Sequence, residues 1–396
     1  MSVDRHSASA PPRVALYNRP KVRALFYQVV LLTAALWFGY EFALNAKANL
    51  AAQNITSGFG FLENTAGFGI NVSLIPYNES DSYGRVFLVG LLNTLLVAGI
   101  GIVLATILGF FIGIARLSPN WLVARLAGGY VELIRNLPLL FQILFWYLAV
   151  LGTLPGPRQS ISLIGGIFIN NRGIIVPAPV AGEGAGRVFV TFAAGVVAAL
   201  ILGLWAKRRR LRTGLEFPVS WISLALVFGL PLAVLAASGF PITFVKPELR
   251  GFNFVGGVRL LPEFVALLLA LTTYTAAFIA EIVRAGILAI PRGQTEAASA
   301  LGLRRGPALR LIVVPQALRV IVPPLTNQYL NLTKNSSLAV AVGYPDLFAV
   351  FAGTTLHQTG QAIEIIAITM AVYLAISLLT SGLMNWYNAH VGMAER

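Results

Sequence analysis

Long apolar runs, each sufficient to cross a bilayer as helix, leave this chain few ways to fold. They are read at 24–46, 86–115, 127–152, 188–206, 216–238, 261–290, 309–340 and 360–386. A hydrocarbon core about 30 Å thick needs roughly 20 apolar residues of helix. Inside it every backbone N–H and C=O must be satisfied within the protein, which a helix does segment by segment. The expected fold is an all-α polytopic membrane protein with about eight transmembrane helices. A content of 57% hydrophobic and 11% charged residues agrees, and excludes an ordinary soluble domain.

The remaining charges are ordered along the chain. A net charge of +14 invites a nucleic-acid reading, but the basic residues gather at alternate loops. Arg5, Arg13, Arg19, Lys21 and Arg23 precede the first run. Arg116 and Arg125 follow, then Lys207 to Arg210 with Arg212, then Arg292, Arg304, Arg305 and Arg310. This positive-inside pattern puts both termini and the segment 292–315 in the cytoplasm, with 47–85, 153–187, 239–260 and 341–359 outside. The partner implied is the lipid bilayer, not nucleic acid. With no cysteine, disulfides and thiolate metal sites are excluded. His6, His357 and His390 lie at run ends or in a tail and make no metal cluster. Residues 1–23 read as a polar cytoplasmic tail, and the apolar stretch after them is too long for a signal sequence, so it stays as an anchor.

Polar residues separate the runs into two kinds. Runs 188–206 and 216–238 hold hardly any beyond Thr191, Ser220 and Ser223, and belong at the periphery. Runs 127–152, 261–290 and 309–340 carry Glu132, Arg135, Asn136, Gln142, Glu281, Arg284 and Lys334. Such groups are costly in lipid and should face one another or a wet cavity. Glu132 with Arg135, and Glu281 with Arg284, stand at i,i+3 and read as structural pairs or subunit contacts. In 86–115, Ala98, Gly101, Ala105, Gly109 and Gly113 form a ridge of small residues for close helix packing. The chain divides into a tail (1–23), a first helix and outer segment (24–85), two core helices (86–153), an insertion with two extra helices (154–260) and three further core helices (261–390).

Between the sixth and seventh runs lies RGQTEAASALGLRRGPALRLIVVP, residues 292–315. Thr295 is placed to cap a helix start, with Glu296 where the helix dipole favours an anion. Arg304 and Arg305 then fall at the last turn, Gly306 at the left-handed position, and Pro307 stops the helix. A helix over 295–305, thin because of Ala297, Ala298, Ala300 and Gly302, reads as a finger suited to a groove on another protein.

The same segment carries a spaced pattern: Glu296-Ala297-Ala298, then Gly302, Ile312, Val314 and Pro315. With Val314 in place of Leu, this is the EAA motif, and the chain resembles the permeases of ABC importers. The stretch from YTAAFIAEIVRAGIL through VVPQALRVIVPPLTNQYLNLTKNSSL, and ELIRNLPLLFQILFWY at 132–147, are similar to the histidine/glutamine-type permeases of polar amino-acid uptake. The extra runs, with NNRGIIVPAP and KPELRGFNFVGG, resemble the larger Q-type permeases of general L-amino-acid importers. The resemblance implies a permease subunit, not an enzyme, in the bacterial cytoplasmic membrane, taking up polar L-amino acids by alternating access. It implies that Gln294, Thr295, Glu296, Ala297, Ala298, Leu301, Gly302, Arg304 and Arg305 couple the chain to a separate ATP-binding-cassette ATPase dimer. ATP and Mg then reside on that ATPase, with no cofactor on this chain, which has no GxxxxGK[ST] phosphate loop. A second related permease in a heterodimer and an extracytoplasmic amino-acid-binding protein complete the implied assembly.

In the seventh run, Pro323 and Pro324 remove two backbone donors, so the helix is expected to kink or open there. Asn327, Gln328, Asn331, Lys334, Asn335, Ser336 and Ser337 follow, over the middle to outer half of the run. Asn327, Asn331 and Lys334, spaced by four and three, share a face. With Gln142 this cluster is the candidate substrate site, Lys334 being suited to a carboxylate. Other roles stay open: Lys334 snorkels outward, or pairs with Glu364 or Glu281, and the polar side chains only satisfy kinked backbone. A secondary transporter driven by an ion gradient is the alternative, although it needs no capped cytoplasmic helix. An intramembrane enzyme is disfavoured because the runs hold no Ser–His pair or paired aspartates.

Overall fold

The computed structural model of the protein describes residues 20–52, 58–182, 185–215, 217–239 and 242–392. The expected tail falls, up to residue 19, outside them. Among the described residues six helices are long and apolar enough to cross a membrane, or seven with a bent pair. The first four along the chain, taking the bent pair as one, lie in α1 (Pro20–Ala52), α2 (Tyr83–Ala115), the pair α3 (Trp121–Asn136) and α4 (Leu139–Leu144), and α5 (Ala185–Thr213). An eighth apolar stretch, Trp221–Ala237, is shorter than the others; it comprises α6 (Val219–Leu224), a π-helical turn and α7 (Leu230–Ala237). Each of the eight runs thus falls on helix.

One run is not a single straight span. Helix α3 bends by 108° into α4 and the π-helical turn that carries it to Leu151. The cause is local. Pro138 disfavours helical backbone at the residue before it, and Leu137 is extended at φ −98°, ψ 131°.

Between α4 and α5, and again after α7, the chain forms short strands that the apolar pattern did not announce. They are β1 (Ile161–Leu163), β2 (Ile167–Asn170), β3 (Gly173–Val176), β4 (Ala178–Ala181), β5 (Ile242–Val245), β6 (Glu248–Arg250), β7 (Asn253–Val255) and β8 (Val258–Leu260). One sheet has the order β1-β2-β3-β8; β4 pairs with β5, and β6 with β7, all antiparallel. The pairings β3 with β8 and β4 with β5 close the insertion on itself. The hairpin formed by α5 and the α6–α7 helices packs chiefly within itself, which accords with the peripheral place expected for these two runs.

The core is the seam between α2 and α8 (Pro262–Leu288), which is the most extensive packing in the molecule. Gly109 and Gly113 make it possible. A Cβ on Gly109 would stand 2.6 Å from the Ile279 side chain, and one on Gly113 would stand 2.8 Å from the Ala280 carbonyl oxygen. The small-residue ridge read from sequence is therefore a packing surface, and Ala98, Gly101 and Ala105 are buried along it. Beyond α8 come α9 (Arg292–Ala300), α10 (Arg305–Ala308), α11 (Val314–Asn335), α12 (Leu356–Thr359) and α13 (Ala362–Gly392). Helix α11 packs on α8 and α13. It runs unbroken through Pro323 and Pro324, contrary to the expected opening. Buried Ile321, Val322, Leu325 and Leu332 hold that stretch against its neighbours, and packing of this kind overrides the local cost of proline.

A Gly109→Val substitution inserts methyl groups into the α2–α8 seam, where overpacking costs about 1–3 kcal/mol. The purified variant should melt several degrees below the wild type. Gly99→Val should leave the melting temperature unchanged, because a Cβ there meets nothing within 4 Å.

Candidate functional site

The segment between α8 and α11 projects as a short helix with a defined start and stop. Pro291 ends the preceding turn in extended conformation and α9 begins at Arg292. Thr295 is not the cap: its hydroxyl donates to the Arg292 carbonyl at 3.0 Å, one turn inside the helix, and Ser299 donates likewise to the Thr295 carbonyl at 2.9 Å. At the other end the Leu303 N–H reaches the Ala298 carbonyl at 3.1 Å and the Gly302 N–H reaches that of Ser299 at 2.9 Å. Gly302, at φ +75°, takes the left-handed position that closes the helix. The expected helix over 295–305 is therefore corrected to 292–300, with Gly302 rather than Gly306 as the stop. Arg305, Gly306 and Pro307 belong to α10, where proline sits in a first turn without penalty.

One residue of α9 is inward. Ala298 is buried, while Thr295, Glu296, Ala297 and Ser299 are exposed, as are Leu301, Gly302 and Arg304 beyond its end. Gln294 accepts a hydrogen bond from Gln316 at 3.3 Å, which ties α9 to α11. Open hollows lie on both flanks. One of about 810 Å³ is lined by Ala297, Leu301, Pro315 and Arg319 among others. The other, of about 660 Å³, is lined by Arg292, Glu296, Ser299 and Leu303 among others. A narrow helix flanked by open space can be gripped from two sides.

Rigid mounting for that helix comes from a charge cluster at the near ends of α2 and α8. Glu281 pairs with Arg116 from α2, and with Arg284 of its own helix at 2.6 Å. The expected pair Glu281–Arg284 is thus made, and it extends to a second helix. Arg135 instead lies over the Phe278 ring, 5.1 Å from its centre.

The polar cluster of α11 divides. Val320, Asn327, Asn331 and Lys334 form an exposed stripe, Gln328 and Asn335 are half-buried beside it, and Leu325, Thr326, Leu332 and Thr333 face inward. Ser336 is buried and donates to the Thr333 carbonyl at 2.8 Å; Ser337 donates to that of Lys334 at 2.8 Å. Gln142 is also buried, and its amide donates to the carbonyls of Ile134 and Leu137, both at 3.0 Å. It braces the bend between α3 and α4. Neither carboxylate considered for Lys334 pairs with it. Glu281 is held by two arginines, and Glu364 accepts the Gly58 N–H at 2.7 Å.

A second polar cluster escaped the sequence reading because it forms only in three dimensions. Asn93 donates to the carbonyls of Val72 at 2.8 Å and Pro345 at 2.9 Å, and Thr94 accepts the Leu347 N–H at 3.0 Å. Between these contacts Asp346, in the bend after α11, is fully buried; it accepts the Ala349 N–H at 2.8 Å and the Tyr373 hydroxyl at 3.3 Å. Burial pushes its carboxyl up to about 6.

Residues 101–392 match the family described as binding-protein-dependent transport system inner membrane component. The chain is similar to the general L-amino acid transport system permease protein AapQ of Rhizobium johnstonii, 52% identical over 97% of this chain and 96% of that protein. It is similar to the putative amino-acid ABC transporter permease protein YhdX of Escherichia coli, 52% identical over 96% and 97% of the two chains. The glutamate/glutamine/aspartate/asparagine transport system permease protein BztB of Rhodobacter capsulatus is 42% identical over 98% and 99%.

Removing the carboxylate by Glu281→Ala leaves two partly buried guanidinium groups unpaired, a loss of about 1–3 kcal/mol. Chemical denaturation in detergent should register it. For Asp346 the pH dependence has a definite sign. A carboxyl raised in the folded state binds its proton more tightly there than in the unfolded chain, so stability falls as pH rises from about 4 through about 6. Thermal unfolding between about pH 5 and pH 8 should show a decline that Asp346→Asn removes.

Proposed function

The chain belongs to the binding-protein-dependent transport system inner membrane components and is a permease of the amino-acid ABC transporter kind, and we propose that it imports polar L-amino acids under the drive of a separate ATPase dimer. Helix α9 carries the proposal. It is short, exposed, sharply terminated at Gly302 and flanked by hollows on both sides. Thr295, Glu296, Ala297, Leu301, Gly302 and Arg304 present its outer surface to the ATPase, while Gln294 ties it to α11 and Ala298 is buried beneath it. Movement of α9 passes into α8 through three intervening residues, 289–291, and from α8 into α2 through the Arg116–Glu281–Arg284 cluster. ATP and Mg are held by the ATPase, and this chain has no hydrolytic role.

The exposed stripe of α11 supports a substrate face that is completed by a second, related permease. Asn327 and Asn331 supply amides, and Lys334 supplies a cation for the substrate carboxylate. Gln328, Asn335 and Ser337 border the stripe, while Ser336 and Gln142 shape the helices behind it. Substrates in the class named for the relative from Rhodobacter capsulatus, glutamate, glutamine, aspartate and asparagine, all carry the α-carboxylate that Lys334 suits. Charge order along the chain supports an orientation with α9 and both termini in the cytoplasm of a bacterial inner membrane. An amino-acid-binding protein then delivers substrate at the opposite end.

The test uses the intact complex in proteoliposomes, with its ATPase and binding protein. Gly302→Trp should abolish ATP-dependent uptake while hydrolysis persists, since it destroys the left-handed stop of α9. Asn331→Ala should lower uptake about tenfold or more with hydrolysis intact. Normal transport by Gly302→Trp, or uptake driven by an ion gradient without ATP, would sink the reading.

A further inference from the structure

The β layer between α4 and α8 carries a charge that its position does not explain. Its described residues, 153–182 and 242–260, include five basic side chains (Arg158, Arg172, Lys246, Arg250 and Arg259) against one acidic side chain, Glu248. Strand β8 leads directly into the start of α8, and α9 follows the end of that helix. The layer and the projecting helix therefore lie at opposite ends of a span about 40 Å long. On the proposed orientation this layer is outside, where lysine and arginine are under-represented in the loops of membrane proteins. A net excess of four cations there calls for an anionic partner.

The basic residues are built into the layer. Arg259 Nε donates to the Arg172 carbonyl at 3.0 Å, and the Arg172 guanidinium donates to the Asn253 side chain. Asn170, fully buried, accepts the Arg172 N–H at 2.9 Å and donates to Ser160 at 2.9 Å. The Arg158 guanidinium carbon lies over Phe252, 4.1 Å from the ring centre. Arg172 and Arg259 thereby flank a cavity of about 40 Å³, walled by Asn170, Asn253, Phe254 and Gly256. About 10–15 Å³ of such space admits one water, so the cavity has room for a carboxylate group. Guanidinium groups held in place around such a volume match carboxylate geometry and make the stronger, charge-assisted hydrogen bonds.

We propose that this cavity is a docking socket in which Arg172 and Arg259 receive an acidic side chain from the surface of the extracytoplasmic binding protein. The proposal rests on the permease reading and deepens it by naming a contact outside the helical core. Charge complementarity and a cavity between two arginines with room for a carboxylate favour that occupant. The site acts in recognition and in the rate of encounter, since charges of this kind steer association and fix register. It takes no part in moving substrate through the membrane.

The test is binding of the transport system's own binding protein to the complex in nanodiscs. Arg172→Gln with Arg259→Gln should weaken binding about tenfold and flatten its salt dependence. Arg250→Gln, whose guanidinium pairs with Glu248 at 3.3 Å, should leave both unchanged. The chain has no cysteine, so a thiol-directed crosslinker on Asn171→Cys, in the exposed turn beside Arg172, reports the neighbour without disturbing the socket. Crosslinking to the binding protein is the expected result. Crosslinking only to the second permease or to anionic lipid overturns the proposal. So does an unchanged Kd in the double variant when the wild-type complex is still stimulated by its binding protein, and that outcome leaves the permease reading standing. A wild-type complex that no amino-acid-binding protein stimulates overturns both.

Discussion

Close contact between α2 and α8 is the constraint on which the other elements depend. Lipid offers no hydrophobic drive for helices to associate, so the contact rests on dispersion and on small residues that let backbones approach. Gly109 and Gly113 bring α2 against Ile279, Ala280 and Val283. From that seam α8 carries α9 at one end and the β layer at the other, and α11 lies along its side. Charge strengthens the seam where the small residues end: Arg116 reaches from α2 to Glu281. Packing over most of the length and an ion cluster at one end make α2 and α8 behave as a single beam.

That beam gives the proposed function its mechanical logic. A pull on α9 cannot be absorbed by slippage between α2 and α8, because any relative shift drives glycine positions into neighbouring side chains. Displacement is therefore passed on to α11, whose polar stripe faces away from the beam. A bent pair such as α3–α4 offers a different kind of freedom. Its turn is set by Pro138 and braced by Gln142, so it holds an angle and does not bear load along one axis.

Much of this was legible in the residues. Long apolar runs located all eight helical stretches, because the need to satisfy backbone groups in lipid admits few alternatives. The ridge from Ala98 to Gly113 was readable from its spacing, and the existence of α9 followed from a polar, helix-forming segment between two spans. Its limits were misread for a physical reason. Thr295 bonds back to Arg292 inside the helix, so a residue with a capping preference sat one turn too late, and Gly302 outcompeted Gly306 as the left-handed stop. Proline signals misled in both directions. Pro138 bends its run sharply, whereas Pro323 and Pro324 do not open α11, because surrounding side chains hold it. The β layer left the weakest trace: its strands are three or four residues long, and β3 finds β8 across more than eighty residues of intervening chain. The site residues were legible as a list but not as a surface, since only packing separates exposed Asn331 and Lys334 from buried Ser336 and Gln142.

The pairing of β3 with β8 has a consequence for how such a chain grows. Val176 and Val258 are direct partners across the two strands, so the polypeptide departs from the permease body and comes back at neighbouring points. What the structure describes between them is a branch rooted beside that pairing, with Asn253 bonded to Arg172 and Phe252 under Arg158 at its base. Residues gained or lost within that branch leave the distance from α4 to α8 unaltered, which makes it a place where length varies without a toll on the moving parts. A lineage of transporters can add or trim helices and strands there as one grafts onto a stem, while the machinery beneath keeps its dimensions.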